Sequence, residues 1–141
     1  MKNLTFPPGE ESLLVRTDLS DPEAWDEIMR LISEPEGEYG FQARVSFLSD
    51  PAYEGLTPAE LLEVGRRGPY RSFLFFVDGE TFASPDHHVG VLDLQTEPGR
   101  VFRVVPSEMW SVENNLSLAN MDFAEFADAV DTDGVFRGFS A

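Results

Sequence analysis

The chain has no cysteine. That removes disulfides, thiolate nucleophiles and Cys-ligated zinc or iron–sulfur centres together, so the core must hold without covalent or metal staples. Basic residues are scarce as well: ten Lys and Arg stand against 26 Asp and Glu, a formal charge of -16. Binding to nucleic-acid phosphates or to an anionic membrane needs Lys and Arg, so neither is an expected partner. Long apolar runs are missing too. The first ten residues hold one Lys and then Phe6-Pro7-Pro8-Gly9, with nothing suited to a signal sequence or a membrane span, and a cytoplasmic protein is expected. No Gly-x-Ser-x-Gly elbow, phosphate-binding P-loop or three-glycine dinucleotide fingerprint occurs, so the common nucleophile and nucleotide templates fail.

Enough apolar residues remain for a core. Leu, Val, Phe and Ile number 14, 12, 12 and 2 in 141 residues, more than the roughly 20% below which a highly charged chain stays disordered. With no repeat, Ser/Gly linker or low-complexity block, residues 1–12 read as a flexible segment and 13–141 as one domain. The charge is uneven: residues 1–40 carry a net -7, 41–106 a net -3 and 107–141 a net -6. Arg over Lys and Leu or Val over Ile is the usage of a GC-rich coding sequence.

Leu13-Leu14-Val15-Arg16-Thr17 reads as a short strand. Ser20-Asp21-Pro22-Glu23 supplies an N-cap, a first-turn proline and a capping-box Glu three residues after Ser20. Trp25, Ile28, Met29 and Ile32 then form one apolar stripe, and the helix stops at 35–40. Residues 41–48 alternate like a strand with one buried face, nearer the sheet edge. Thr57-Pro58-Ala59-Glu60 repeats the cap signal for a helix ended by Gly65. Residues 72–77, apolar on both faces, are the expected central strand, closed by the turn pair Asp78-Gly79. Residues 89–94 and 101–105 make a hairpin; a helical segment from Pro106 and a last helix capped by Asp122 complete the order β-α-β-α-β-β-β-α-α. The expected fold is α/β, with α+β as the alternative: a single domain with a mixed five-stranded sheet flanked by helices. The leading order overlaps that of thioredoxin-like folds, but without a Cys pair no redox role accompanies it.

Asp18, Asp78 and Asp93 each lie at or near the carboxyl end of an expected strand, where ligands bind in open α/β sheets. If their strands were parallel neighbours, the three could hold a hard cation such as Mg²⁺; alternatively each only ends a strand or opens a turn. Asp86-His87-His88 reads as a turn, because adjacent histidines in a strand point to opposite faces. Arg66, Arg67, Tyr70 and Arg71 are the one local basic patch, either an anion clamp or partners for the surplus carboxylates. Residues 104–123 are the most distinctive stretch. Trp110, Glu113, Asn114, Asn115 and Asn120 make a poor composition for an ordinary helix, since Asn favours caps and turns. Two readings follow: a polar pocket or recognition surface with Trp110 as its anchor, or a structural role in which the Asn residues and Asp122 handle helix ends while Trp110 packs in the core.

The chain also resembles a family of small, acidic, uncharacterised single-domain proteins, mostly from Streptomyces-like actinobacteria and known only as a domain of unknown function. The likeness lies in Leu13-Leu14-Val15-Arg16-Thr17-Asp18, in Tyr53-Glu54-Gly55-Leu56-Thr57-Pro58 and in Glu97-Pro98-Gly99-Arg100. It continues through Phe102-Arg103-Val104-Val105-Pro106-Ser107-Glu108, Trp110-Ser111-Val112-Glu113-Asn114-Asn115-Leu116, Ala119-Asn120-Met121-Asp122-Phe123 and Gly134-Val135-Phe136-Arg137-Gly138-Phe139. It covers most of the chain from Leu13 onward and implies no catalytic residue.

The function expected from the residues is that of a non-enzymatic intracellular acidic binding or accessory protein that engages a basic protein, an inhibitor or immunity-type protein being one subclass, with no cofactor. The alternative is a small-molecule-binding or metal-dependent enzyme built on the strand-end aspartates.

Overall fold

Phe73–Val77 is buried at all five positions, and an apolar run of that kind is stable only where both faces of the strand are covered. A computed structural model, which describes residues 4–139, supplies that cover. The strands are β1 (Ser12–Arg16), β2 (Val45–Leu48), β3 (Phe73–Val77), β4 (Val89–Asp93), β5 (Val101–Val104) and β6 (Val135–Phe136). Across the sheet their order is β2-β1-β3-β4-β5-β6. Neighbours pair in parallel except at β4, which runs antiparallel to β3 and to β5.

Among the described residues five α-helices accompany the sheet: α1 (Pro22–Ser33), α2 (Pro58–Arg67), α3 (Gly79–Ala83), α4 (Met109–Ser117) and α5 (Phe123–Ala127). One face packs Leu14, Phe75, Val91 and Phe102 against Trp25 and Ile28 of α1, Met109 and Val112 of α4, and Phe126 of α5. The other packs Leu13, Val15, Leu74, Phe76 and Leu92 against Leu61 and Val64 of α2, with Tyr53 and Phe6 alongside. The α/β class, the single domain, the edge position of β2, the central position of β3 and the β4–β5 hairpin all agree with the sequence reading.

Several details differ, each for a local reason. The sheet has six strands where five were expected; β6 is only two residues long and has no periodicity to read. Asp78-Gly79 opens α3 in place of a simple turn, because the Asp78 carboxylate accepts from the Thr81 N–H at 3.1 Å and the Thr81 hydroxyl accepts from the Asp78 N–H at 3.2 Å. Asp21 rather than Ser20 caps α1, accepting from the Ala24 N–H at 3.0 Å. Gly65 lies inside α2, and Gly68 caps it. Residues 41–44 precede β2, and Phe41 pairs backward with Glu36. The N-terminal segment read as flexible is anchored over its described part: Phe6 is buried, the Tyr53 hydroxyl donates to the Thr5 carbonyl at 2.8 Å, and Arg71 donates to that of Pro7 at 2.6 Å. Residues 1–3 of it lie outside the described residues. No helix among the described residues is long and apolar enough to cross a membrane.

Candidate functional site

The direction of β4 decides the fate of the three aspartates. Asp18 and Asp78 follow the parallel strands β1 and β3, at the end of the sheet where the connections through α1 and α2 diverge and where α/β folds commonly place ligands. Both line a groove of about 440 Å³ with Glu54, Thr57 and Gly79. Asp93 ends the antiparallel strand, pairs with Phe73 at the start of β3, and so sits at the opposite end of the sheet. The cation site expected from Asp18, Asp78 and Asp93 together is therefore not assembled. Among the described residues no group of three His, Asp or Glu is arranged to hold a metal ion.

Each of these carboxylates has a local task. Asp18 accepts from the Ser20 N–H at 2.8 Å. Asp93, 2% exposed, accepts from the backbone N–H groups of Gln95, Thr96 and Glu97 at 2.9, 3.1 and 2.9 Å, which folds the chain from β4 towards β5. Asp78 receives both Nη atoms of Arg103 at 2.9 and 2.8 Å, a bidentate pair on a half-buried surface. Burial alone would push the Asp78 carboxyl up; the Arg103 guanidinium and the Thr81 donors outweigh it and hold it below the ordinary Asp value. Arg103 is affected in reverse, burial lowering it and the Asp78 and Glu80 carboxylates raising it by more. Its guanidinium also lies 5.3 Å from the Phe76 ring centre, and its Nε is 3.3 Å from Glu80. His88 reaches the same Glu80 through Nε2 at 3.7 Å, whereas His87, at φ 51°, turns Nδ1 towards the Thr81 carbonyl at 3.3 Å. Both histidines lie in the turn ahead of β4, as the sequence reading had it.

The residues singled out in the 104–123 stretch are likewise separated. Glu113, 4% exposed, receives the Ser12 hydroxyl at 3.0 Å, the Arg44 backbone N–H at 2.7 Å and the Ser117 hydroxyl, and so ties β1, the lead into β2 and α4 together. The amide groups of Asn114 and Asn115 donate to the carbonyls of Trp110 and Ser111, four residues back on α4, at 2.7 and 2.8 Å. Asn120 is exposed, and Ala119, at φ 56°, takes the left-handed position that the sequence reading gave to Asn114 or Asn115. At the basic patch, Arg67 pairs with Glu63 at 3.2 Å, and Arg71 is the residue that fastens Pro7.

Trp110 alone of that group meets a surface feature. It is half-buried, and Phe41 lies on it with ring centres 4.5 Å apart and planes 10° from parallel; Tyr39 approaches Phe41 at 5.9 Å. Tyr39 and Phe41 are 79% and 42% exposed. The sequence reading placed Phe41 in a strand and Tyr39 in a helix stop. The available signal was Gly37 and Gly40 bracketing a turn with an aromatic inside it and another just after.

Among curated proteins no sequence matches the chain. The family model described as Domain of unknown function (DUF6924) matches residues 11–139, nearly all of it from the residue before β1 onward, and the chain belongs to that family.

Proposed function

We propose that the protein is a non-enzymatic binding module whose acidic surface engages a basic protein, in the cytoplasm of an actinobacterium. The observation that carries this reading is the distribution of compensated and uncompensated carboxylates. In the last third, Arg137 is held by Asp86, Asp131 and Asp133 at 2.7 to 2.9 Å, and Arg100 by Asp128 at 2.6 Å. Around α1 the balance differs. Glu23, Asp26, Glu34 and Glu38 are exposed, and one base, Arg30, bridges Glu27 and Glu34. The exposed carboxylates around α1 outnumber the base beside them, and a basic protein would be steered there. A nuclease or toxin neutralised by an inhibitor of immunity type fits this class of partner. The Arg-over-Lys usage supports the actinobacterial setting. Pull-down from source lysate at low and high salt tests the proposal: a basic protein retained at low salt and released at high salt is expected. No captured protein, or one whose retention ignores ionic strength, overturns it.

A second reading has one observation in its favour, the meeting of Asp18 and Asp78 in the groove at the ends of β1 and β3. Such a groove suits a small cationic or hydroxyl-bearing ligand. Thermal-shift titration with divalent cations, polyamines and neutral sugars is its test. A ligand at a hundred times its Kd should add about 2.7 kcal/mol, and unmoved melting curves overturn it.

A further inference from the structure

The connection from α1 to β2 carries more hydrogen bonds than a connection needs. Glu36 and Phe41 exchange both backbone hydrogen bonds at 2.8 Å, Gly40 N–H reaches the Gly37 carbonyl at 3.3 Å, and Gly37 and Gly40 take φ 72° and 65°. Beyond the turn, the Gln42 side chain donates to the Ser33 carbonyl and the Arg44 N–H to buried Glu113. This framework holds Tyr39 almost wholly in solvent at its tip and Phe41 flat against Trp110. An exposed aromatic ring already held before binding, as Phe41 is against Trp110, loses little entropy when it is covered, which is the character of an interface anchor.

The chemistry around the rings names the occupant. Glu36 and Glu38 belong to the same turn, Glu34 precedes it, and Glu108 stands two residues before Trp110. Burial, and then the Glu36 charge, raise the Glu108 carboxyl above its ordinary value. Among the described residues neither Glu36 nor Glu108 has an ion pair to a base. A second copy of the chain, carrying the same -16 charge, is disfavoured against this surface.

We propose that the Tyr39–Phe41–Trp110 ladder is the docking surface for an arginine-bearing segment of a partner protein. Guanidinium planes stack on Tyr39 and Phe41, and Glu36, Glu38 and Glu108 accept their N–H groups. Arginine suits the surface better than lysine because its planar fork can stack and donate at once. This inference rests on the basic-partner reading and gives it a location.

The test is calorimetric titration of the whole protein with a synthetic peptide of alternating Arg and Gly, and with its Lys counterpart, at low ionic strength. Tyr39→Ser, at an exposed position, is compared with Glu10→Gln and Glu54→Gln, which remove exposed charge outside α1 and the turn that follows it. Tyr39→Ser is expected to weaken the Arg peptide by about five- to tenfold, a cation–π contribution, while each charge control changes it less than about twofold. The Arg peptide is also expected to bind tighter than the Lys peptide. Equal weakening by Tyr39→Ser and the controls overturns the docking surface and leaves the acidic-module reading standing. Equal binding of the two peptides overturns the arginine assignment. Absence of any binding by the unsubstituted protein overturns both the inference and the reading beneath it, and a dimer abolished by Tyr39→Ser makes the ladder a self-association site.

Discussion

A Cβ on Gly90 would sit 2.2 Å from the Phe76 ring. Phe76 is the cross-strand partner of Gly90 on β3, and Arg103 is its partner on β5. The missing side chain thus lets Phe76 lie over β4 and lets Arg103 reach across to stack on it. Gly90→Ala should destabilise the fold by about 1–3 kcal/mol, as overpacking does, and denaturant unfolding would measure it. Pairing it with Phe76→Leu should return part of the loss; strict additivity would contradict the contact. Asp78 and Glu108 carry opposite pH signatures. Because the folded Asp78 carboxyl lies below its ordinary value, its contribution is complete above the ordinary Asp pKa of about 3.9 and is lost as pH falls through the lower folded value. Asp78→Asn should therefore flatten the acid limb of the stability curve. Glu108 is raised by burial and then by Glu36, so its contribution is complete below the ordinary Glu pKa of about 4.3 and is lost as pH rises through the folded value. Glu108→Gln should accordingly stabilise the protein at neutral pH, with the gain vanishing in acid; urea midpoints across pH would report both variants. None of this pairing was legible in the sequence. Gly90 and Arg103 were visible as letters within strands, but their meeting depends on register.

At the scale of elements, Glu113 is the clearest clamp, since one buried carboxylate serves β1, the approach to β2 and α4. Glu113→Ala would leave the Arg44 N–H and the Ser12 hydroxyl without their acceptor, at a cost of about 1–3 kcal/mol. Amide exchange should quicken at Arg44 more than in β3, and uniform quickening would argue against a local clamp. The capping box of α2, with Thr57 Oγ1 accepting from Glu60 N–H at 3.2 Å and Glu60 Oε1 accepting from Thr57 N–H at 3.1 Å, predicts that Thr57→Ala lowers stability by about 1 kcal/mol in the same assay. Sequence reading found this helix start because cap chemistry is local. It misplaced the helix end, because Gly65 marks no terminus: a Cβ there would come 3.3 Å from Leu94, so the glycine answers to packing from the residue just past the end of β4. The Asn-rich helix was open to two readings for a related reason. Asn114 and Asn115 satisfy their amides on the preceding turn of α4, a contact that composition cannot distinguish from a waiting ligand site.

The whole molecule is governed by its charge and by one strand direction. At -16, like charges repel over the folded surface more strongly than over an expanded chain. Melting temperature should rise with added sodium chloride, and a flat or falling trend would show that local pairs such as those of Arg137 already contain the repulsion. Sequence pattern anticipated the alternation of helices and strands and the hairpin, since those follow from period and turn residues. It left the orientation of β4 relative to β1 conditional, and that single orientation keeps Asp93 from Asp18 and Asp78. The two rims of the sheet have a further effect. β2 offers four residues of unpaired ladder and β6 only two, and the Asp131–Asp133–Arg137 group adjoins the latter. Strand addition by another chain needs a longer template than either rim presents, so the protein should stay free of fibres at concentrations where a longer apolar rim would seed them.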